Sequence, residues 1–162
     1  LRELDLNLLV VFNQLLLAQS TVGQSVQTRM EQLALEVQGE LQPYATSIQS
    51  EIQRLQTGGA AVTDADRQAV QARVQDAQQL EQTRENELRY TLSEQRRLIS
   101  EAVEPILVAV YQERGCGILL DRESVFILNP TMDVTETVIQ RLNAQLPSLS
   151  FNRLPVPAQA AQ

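Results

Sequence analysis

The chain has no lysine, no histidine and no tryptophan, and Cys116 is its one cysteine. Without histidine it lacks the side chain that most often serves as a general base near neutral pH and as a nitrogen ligand to transition metals. A lone cysteine excludes an internal disulfide and a cysteine-cluster zinc site. Aromatic residues make up 4% of the chain, and no apolar run approaches the roughly 20 residues that a membrane-spanning helix needs. Every basic side chain is an arginine, and 13 of them against 20 carboxylates leave a formal charge of −7. That balance is the reverse of a nucleic-acid-binding footprint. Any serine or cysteine nucleophile would have no base to activate it, so the chain reads as a non-enzyme without a cofactor or metal. It opens at Leu1 with neither methionine nor a charged-then-apolar leader, from which processing ahead of this numbering is expected.

What is present is periodicity. Apolar residues fall at Val22, Val26, Met30, Leu33, Val37, Leu41, Tyr44, Ile48, Ile52 and Leu55, a 4-4-3 spacing repeated every eleven residues. Eleven residues in three turns is about 3.67 per turn, so the stripe hardly drifts around a straight helix. At about 1.5 Å per residue such a helix is roughly 50 Å long. A stripe that narrow needs a partner over the same length. Gly58-Gly59 ends the first helix, and Thr63, Asp64 or Asp66 caps the next, so the arrangement is an antiparallel helical hairpin over residues 22–100 with its tip at about 57–65. Continuing the stripe along the returning helix gives Val70, Val74, Ala77, Glu81, Glu85, Leu88, Leu92, Arg96, Ile99 and Val103. Three of these carry charge, with Leu80 a substitute for Glu81, which predicts looser packing over the outer half.

The two ends of the chain supply the rest. Residues 1–21 and 101–146 read as a small α+β body, with strands at about 8–12, 117–121 and 125–128 and a helix at about 133–146. Residues 147–162, rich in Ser, Pro, Ala and Gln, read as a flexible C-terminal tail. Pro105 stands where the returning helix enters the body, and its missing N–H predicts a bend. So few short elements make a poor core, and with disulfide and metal excluded, partner chains remain. The body is therefore expected to be an oligomerisation module whose strands join a sheet or barrel shared between copies. Leu9, Val11, Leu119, Phe126 and Leu128 are the expected interface residues. Cys116, between two glycines, reads as a small buried residue, with a redox role as the alternative, and Asp64 and Asp66 read as helix caps rather than a cation site.

The order of these parts resembles the Skp/OmpH periplasmic chaperones. The resemblance rests on Val10-Val11-Phe12-Asn13 through Ser20-Thr21-Val22-Gly23, on the hairpin, on Gly117-Ile118-Leu119-Leu120-Asp121-Arg122-Glu123-Ser124-Val125, and on Asn129-Pro130-Thr131-Met132-Asp133-Val134-Thr135. It implies a homotrimer with a small shared β-barrel and three hairpins that hang like tentacles around a cavity. It also implies an ATP-independent holdase in the periplasm, after removal of a signal peptide not present in this chain, whose partners are unfolded outer-membrane β-barrel proteins. The acidic charge departs from the basic tentacles of the best-known members and speaks against lipopolysaccharide or membrane contact. On this reading Leu35, Ala61, Val62, Leu80 and Tyr90 are candidate client contacts, ordinary exposed residues being the alternative. Gly58, Gly59 and Pro105 are candidate hinges that let the hairpins splay. The competing readings are a structural coiled-coil spacer or adaptor without clients and a prefoldin-like cytosolic chaperone. Prefoldins place both strands between the long helices, whereas here the strand pair follows the second.

Overall fold

The computed structural model describes residues 7–158. Strand β1 (Leu8–Val11) leads into helix α1 (Asn13–Gln19) and then into helix α2 (Thr21–Thr57). A 3-10 turn at Gly59–Ala61 connects α2 to helix α3 (Asp64–Glu113), which is followed by strand β2 (Ile118–Asp121). Two further 3-10 turns, Arg122–Ser124 and Pro130–Met132, precede helix α4 (Thr135–Gln145). The fold is mainly helical, with α2 and α3 packed as a hairpin and one two-stranded sheet. The described residues form two compact units, one of residues 7–29 and 92–151 and one of residues 30–91 and 152–158.

In the first unit, β1 and β2 pair in parallel, with Leu8 opposite Ile118 and Val11 opposite Asp121. Parallel neighbours need a crossover, and α1, α2 and α3 together provide it. Val10 also bridges to Asp133, and its carbonyl accepts the Val134 N–H at 2.8 Å. The core of this unit comes from Leu9, Val10, Val11, Leu16, Val22, Val26, Ile99, Val103, Ile106, Val110, Val138, Ile139 and Leu142, all buried.

The expected strand at 125–128 is not formed among the described residues, and β2 pairs with β1 instead of with its neighbour in sequence. The reason is local. The 3-10 turn at Arg122–Ser124 does not reverse the chain into a hairpin, and the Arg122 guanidinium takes the Val125 carbonyl at 2.6 Å. Phe126 and Ile127 are left 96% and 81% exposed.

The corner between α1 and α2 explains a residue that looks like a weakness in the sequence. The Ser20 hydroxyl, fully buried, accepts the Gly23 N–H at 3.1 Å and so caps α2. A Cβ on Gly23 would lie 1.8 Å from the Leu17 carbonyl oxygen, so only glycine fits there. The start of α2 is also tied to α4, because the Thr21 N–H donates to Asn143 Oδ1 at 2.9 Å.

At the other end of α2, Gly59 takes a positive φ of 55°, which an L side chain rarely adopts. Thr63 then caps α3 in a reciprocal box: its N–H donates to Asp66 Oδ2 at 2.9 Å while its hydroxyl accepts the Asp66 N–H at 3.2 Å. Both interior prolines lie within unbroken helices, Pro43 in α2 and Pro105 in α3. Pro43, to which the eleven-residue stripe gives no weight, leaves the Gly39 carbonyl without its usual helical donor.

Candidate functional site

The inward face of α2 in the second unit is the one the stripe predicts, graded along its length. Leu33 and Val37 are buried, Leu41, Ile48, Ile52 and Leu55 are half-buried, and Tyr44 is 49% exposed. The facing row of α3 differs by one residue from the expected stripe. Arg84 and Thr91 turn inward in place of Glu85 and Leu92, while Glu81 and Glu85 are exposed. The register follows from two ion pairs, Arg73 with Glu51 and Arg84 with Glu40, in each of which the residue numbers add to 124. In that register Leu33 stands opposite Thr91, Val37 opposite Glu87 and Tyr44 opposite Leu80. Leu80 is half-buried, as its role as substitute for Glu81 requires.

Glu81 and Glu85 turn to water, and of the α2 side chains beside them Val37 stays buried while Leu41 is half-buried and Tyr44 and Ala45 are exposed. A cavity of about 270 Å³ results, lined by Val37, Gln38, Leu41, Gln42, Ala45, Glu81 and Glu85. A second of about 240 Å³ is lined by Leu41, Tyr44, Ala45, Ile48, Val74, Ala77, Gln78 and Glu81. Both troughs are walled mainly by apolar side chains, with Glu81 at the edge of each and Glu85 at the edge of the first.

Beside them lies a network of alternating charges. Arg84 Nε donates to Glu40 Oε2 at 2.7 Å, and Arg84 Nη1 reaches Glu87 Oε2 at 3.0 Å. Arg153, from the C-terminal segment, bridges the same two carboxylates, with Nη1 2.8 Å from Glu40 Oε1 and Nε 2.9 Å from Glu87 Oε2. Arg153's hydrogen bond, with Arg84's adding to it against the cost of burial, holds the Glu40 carboxyl below its ordinary pKa. Glu40 in turn raises the Arg84 guanidinium above its ordinary value. The neighbouring Leu154 N–H donates to the buried Thr91 hydroxyl at 2.8 Å, and that hydroxyl donates to the Glu87 carbonyl at 2.7 Å.

In the first unit the preceding residues are held in the same way. The Leu149 N–H donates to Ser25 Oγ at 3.1 Å, and Arg29 Nε donates to the Phe151 carbonyl at 3.0 Å. Residues 149–154 form no helix or strand, and Leu149, Phe151, Arg153 and Leu154 are hydrogen-bonded to side chains of α2 and α3. Glu40, Glu87, Thr91 and Arg153 are the site residues that sequence reasoning missed. An isolated arginine in a Pro-rich segment has no periodicity to betray its partners.

The residues singled out from the sequence are scattered. Leu35 is 67% exposed, Ala61 is exposed, and Val62, Leu80 and Tyr90 are half-buried. Of the expected interface residues, Leu9 and Val11 are already buried inside one chain, at 5% and 3% exposure, whereas Leu119 and Leu128 are half-buried and Phe126 is open. Cys116 is buried, with its thiol donating to the Ile118 carbonyl at 2.9 Å. Among the described residues there is no group of three or more Cys, Asp or Glu side chains placed to hold a metal ion, and no helix long and apolar enough to cross a membrane.

The model of the family described as Outer membrane protein (OmpH-like) matches residues 7–142. Among solved structures, a crystal structure from Caulobacter crescentus CB15, described as a candidate outer membrane chaperone (OmpH-like), superimposes with a TM-score of 0.84. It is 25% identical, and the match covers 94% of this chain and 92% of that one. No curated protein matches the chain.

Proposed function

This chain belongs to the OmpH-like outer membrane protein family, one of chaperones rather than enzymes, and from that premise we propose that it is an ATP-independent holdase for unfolded outer-membrane β-barrel proteins in the periplasm. Three copies share a barrel built from β1, β2 and residues 125–128, and the client is held among their hairpins. The observation that carries the reading is the pair of troughs between α2 and α3, where Leu41 is half-buried and Tyr44 is 49% exposed beside Glu81. A holdase needs apolar surface that many sequences can touch weakly, with charge around it to stop the holdase itself from aggregating.

The trimer is supported by β2, which has one strand partner among the described residues, and by the exposed Phe126 and Ile127 just after it. A free edge next to an exposed apolar pair suits strand addition from another copy. Leu35, Ala61, Val62, Leu80 and Tyr90 contribute client contacts, and Gly58, Gly59 and Pro105 let the hairpin adjust. The acidic surface favours a protein client over lipopolysaccharide or an anionic membrane.

The test is light scattering after dilution of a urea-unfolded outer-membrane β-barrel into buffer without nucleotide. The protein should suppress scattering near one trimer per client, and Leu35→Ser should weaken suppression without altering the protein's own melting. Unchanged scattering in the presence of an intact trimer would leave a spacer or adaptor instead.

A further inference from the structure

We propose that the groove on the second unit where Arg153 and Leu154 lie is a binding site for an extended peptide segment, with the C-terminal segment as its resident occupant. The segment it takes carries an arginine followed by an apolar residue. The inference rests on the holdase reading and deepens it, by naming the chemistry of client that one part of the hairpin prefers.

The resident segment shows the recognition mode. The guanidinium of Arg153 lies between carboxylates from both helices, Glu40 of α2 and Glu87 of α3, at 2.8 and 2.9 Å. The next residue hands its backbone N–H to Thr91 Oγ1 at 2.8 Å, a contact open to any residue except proline. Arg153, Leu154 and Val156 are half-buried and Pro155 is exposed, so the arginine and the two apolar residues after it are the sheltered part of the segment. The arginine supplies the selective contact, since its planar fork holds Nη1 and Nε in fixed directions toward two carboxylates at once, a geometry that a lysine ammonium does not reproduce. Glu87 is 13% exposed and Arg153 21%, so the pair is sheltered enough to matter, unlike the open Arg67–Asp64 pair at the tip.

The site is not simply a structural staple, because α2 and α3 are already joined there without the tail. Arg84 spans the same two carboxylates from within the hairpin. Departure of Arg153 therefore leaves Glu40 and Glu87 each still paired and makes room for a second guanidinium. The troughs lined by Val37, Leu41 and Tyr44 lie in the same unit and offer apolar surface to the rest of an incoming segment. A tethered occupant competes at an effective concentration in the millimolar range, so weak client segments displace it only when many bind together.

The experiment is fluorescence anisotropy of a labelled peptide, Ser-Phe-Asn-Arg-Leu-Pro-Val-Pro, with the full chain and with its Arg153→Ala variant. Weakening the tethered competitor should raise peptide affinity about tenfold in the variant, and replacing the peptide's arginine by alanine should remove that gain. A second variant, Glu40→Gln with Glu87→Gln, should bind the peptide about tenfold more weakly than Arg153→Ala, and circular dichroism would verify that both are folded. Equal peptide affinity in the full chain and in Arg153→Ala, or equal binding of the peptide with and without arginine, overturns the proposal. Aggregation of a urea-unfolded β-barrel, followed in parallel, separates the two ideas. If the full chain suppresses aggregation while peptide binding ignores the arginine, the holdase reading stands and the groove falls. If the peptide binds through its arginine and neither protein suppresses aggregation, the groove stands and the holdase reading falls.

Discussion

Replacing Phe126 by aspartate separates the stability of one chain from that of the assembly. In the single chain the ring is 96% exposed, so its loss should change the unfolding free energy of the chain by no more than about 0.5 kcal/mol. In a trimer whose shared barrel buries the ring, each copy loses about 1.5–3 kcal/mol of apolar burial. Three copies together lose about 5–9 kcal/mol, a shift of about a thousandfold to a millionfold in the trimer dissociation constant. A carboxylate forced into the same place adds to that loss. Sedimentation velocity across a dilution series, with far-ultraviolet circular dichroism on the same samples, reads both quantities. On the trimer proposal the expected result is a helical protein that sediments as a single chain at dilutions where the parent sediments at three chain masses. If Phe126→Asp keeps the sedimentation coefficient of the parent at every dilution, Phe126 is not in the interface.

Two glycines should respond oppositely to alanine. Gly23→Ala places a methyl 1.8 Å from the Leu17 carbonyl oxygen and should cost about 3 kcal/mol or more, whereas Gly39→Ala meets nothing within 4 Å and should stabilise α2 by about 0.5–1 kcal/mol, both read from thermal melting. Leu33→Ala empties a site that is 1% exposed and should cost about 2–5 kcal/mol in urea unfolding, while Leu35→Ala, two residues along and 67% exposed, should stay within about 0.5 kcal/mol. Acid should loosen the C-terminal segment. The Glu40 pKa is lowered in the folded chain, chiefly by Arg153, so its contribution is fully present above the ordinary value of 4.5 and is lost as the pH falls through the lowered one. The amide resonance of Leu154 should accordingly move toward its unfolded position as Glu40 takes up its proton below pH 4.5, and a Leu154 resonance that stays fixed while the Glu40 carboxyl itself titrates would contradict the clamp.

What the sequence disclosed and what it hid divide along physical lines. The hairpin was legible because a repeat of Val, Leu and Ile at fixed spacing requires a long buried seam, and Leu33, Val37 and Val70 are buried as that spacing demands. The cap of α3 was legible as Thr63, Asp64 or Asp66 because capping is local in sequence, and the structure makes it a box of Thr63 with Asp66. Strand pairing is not local. Ile118–Asp121 adjoins Val125–Leu128 in the chain, yet it pairs with Leu8–Val11 through the whole crossover, and no neighbouring residue encodes that choice. The facing row of α3 departs by one residue from the apolar stripe because Arg84 and Thr91 are polar, and a polar side chain that turns inward to be hydrogen-bonded leaves no mark in apolar spacing. Arg153 was hidden for the same reason at longer range, its partners lying in residues 40 and 87.

The most direct test of a trimeric holdase is native mass spectrometry of the protein alone and after dilution of a urea-unfolded outer-membrane β-barrel into it. The expected spectrum shows a species at three chain masses that gains the mass of one client, without nucleotide. A trimer that passes through the mixture with its mass unchanged, while the client aggregates, would contradict the holding function.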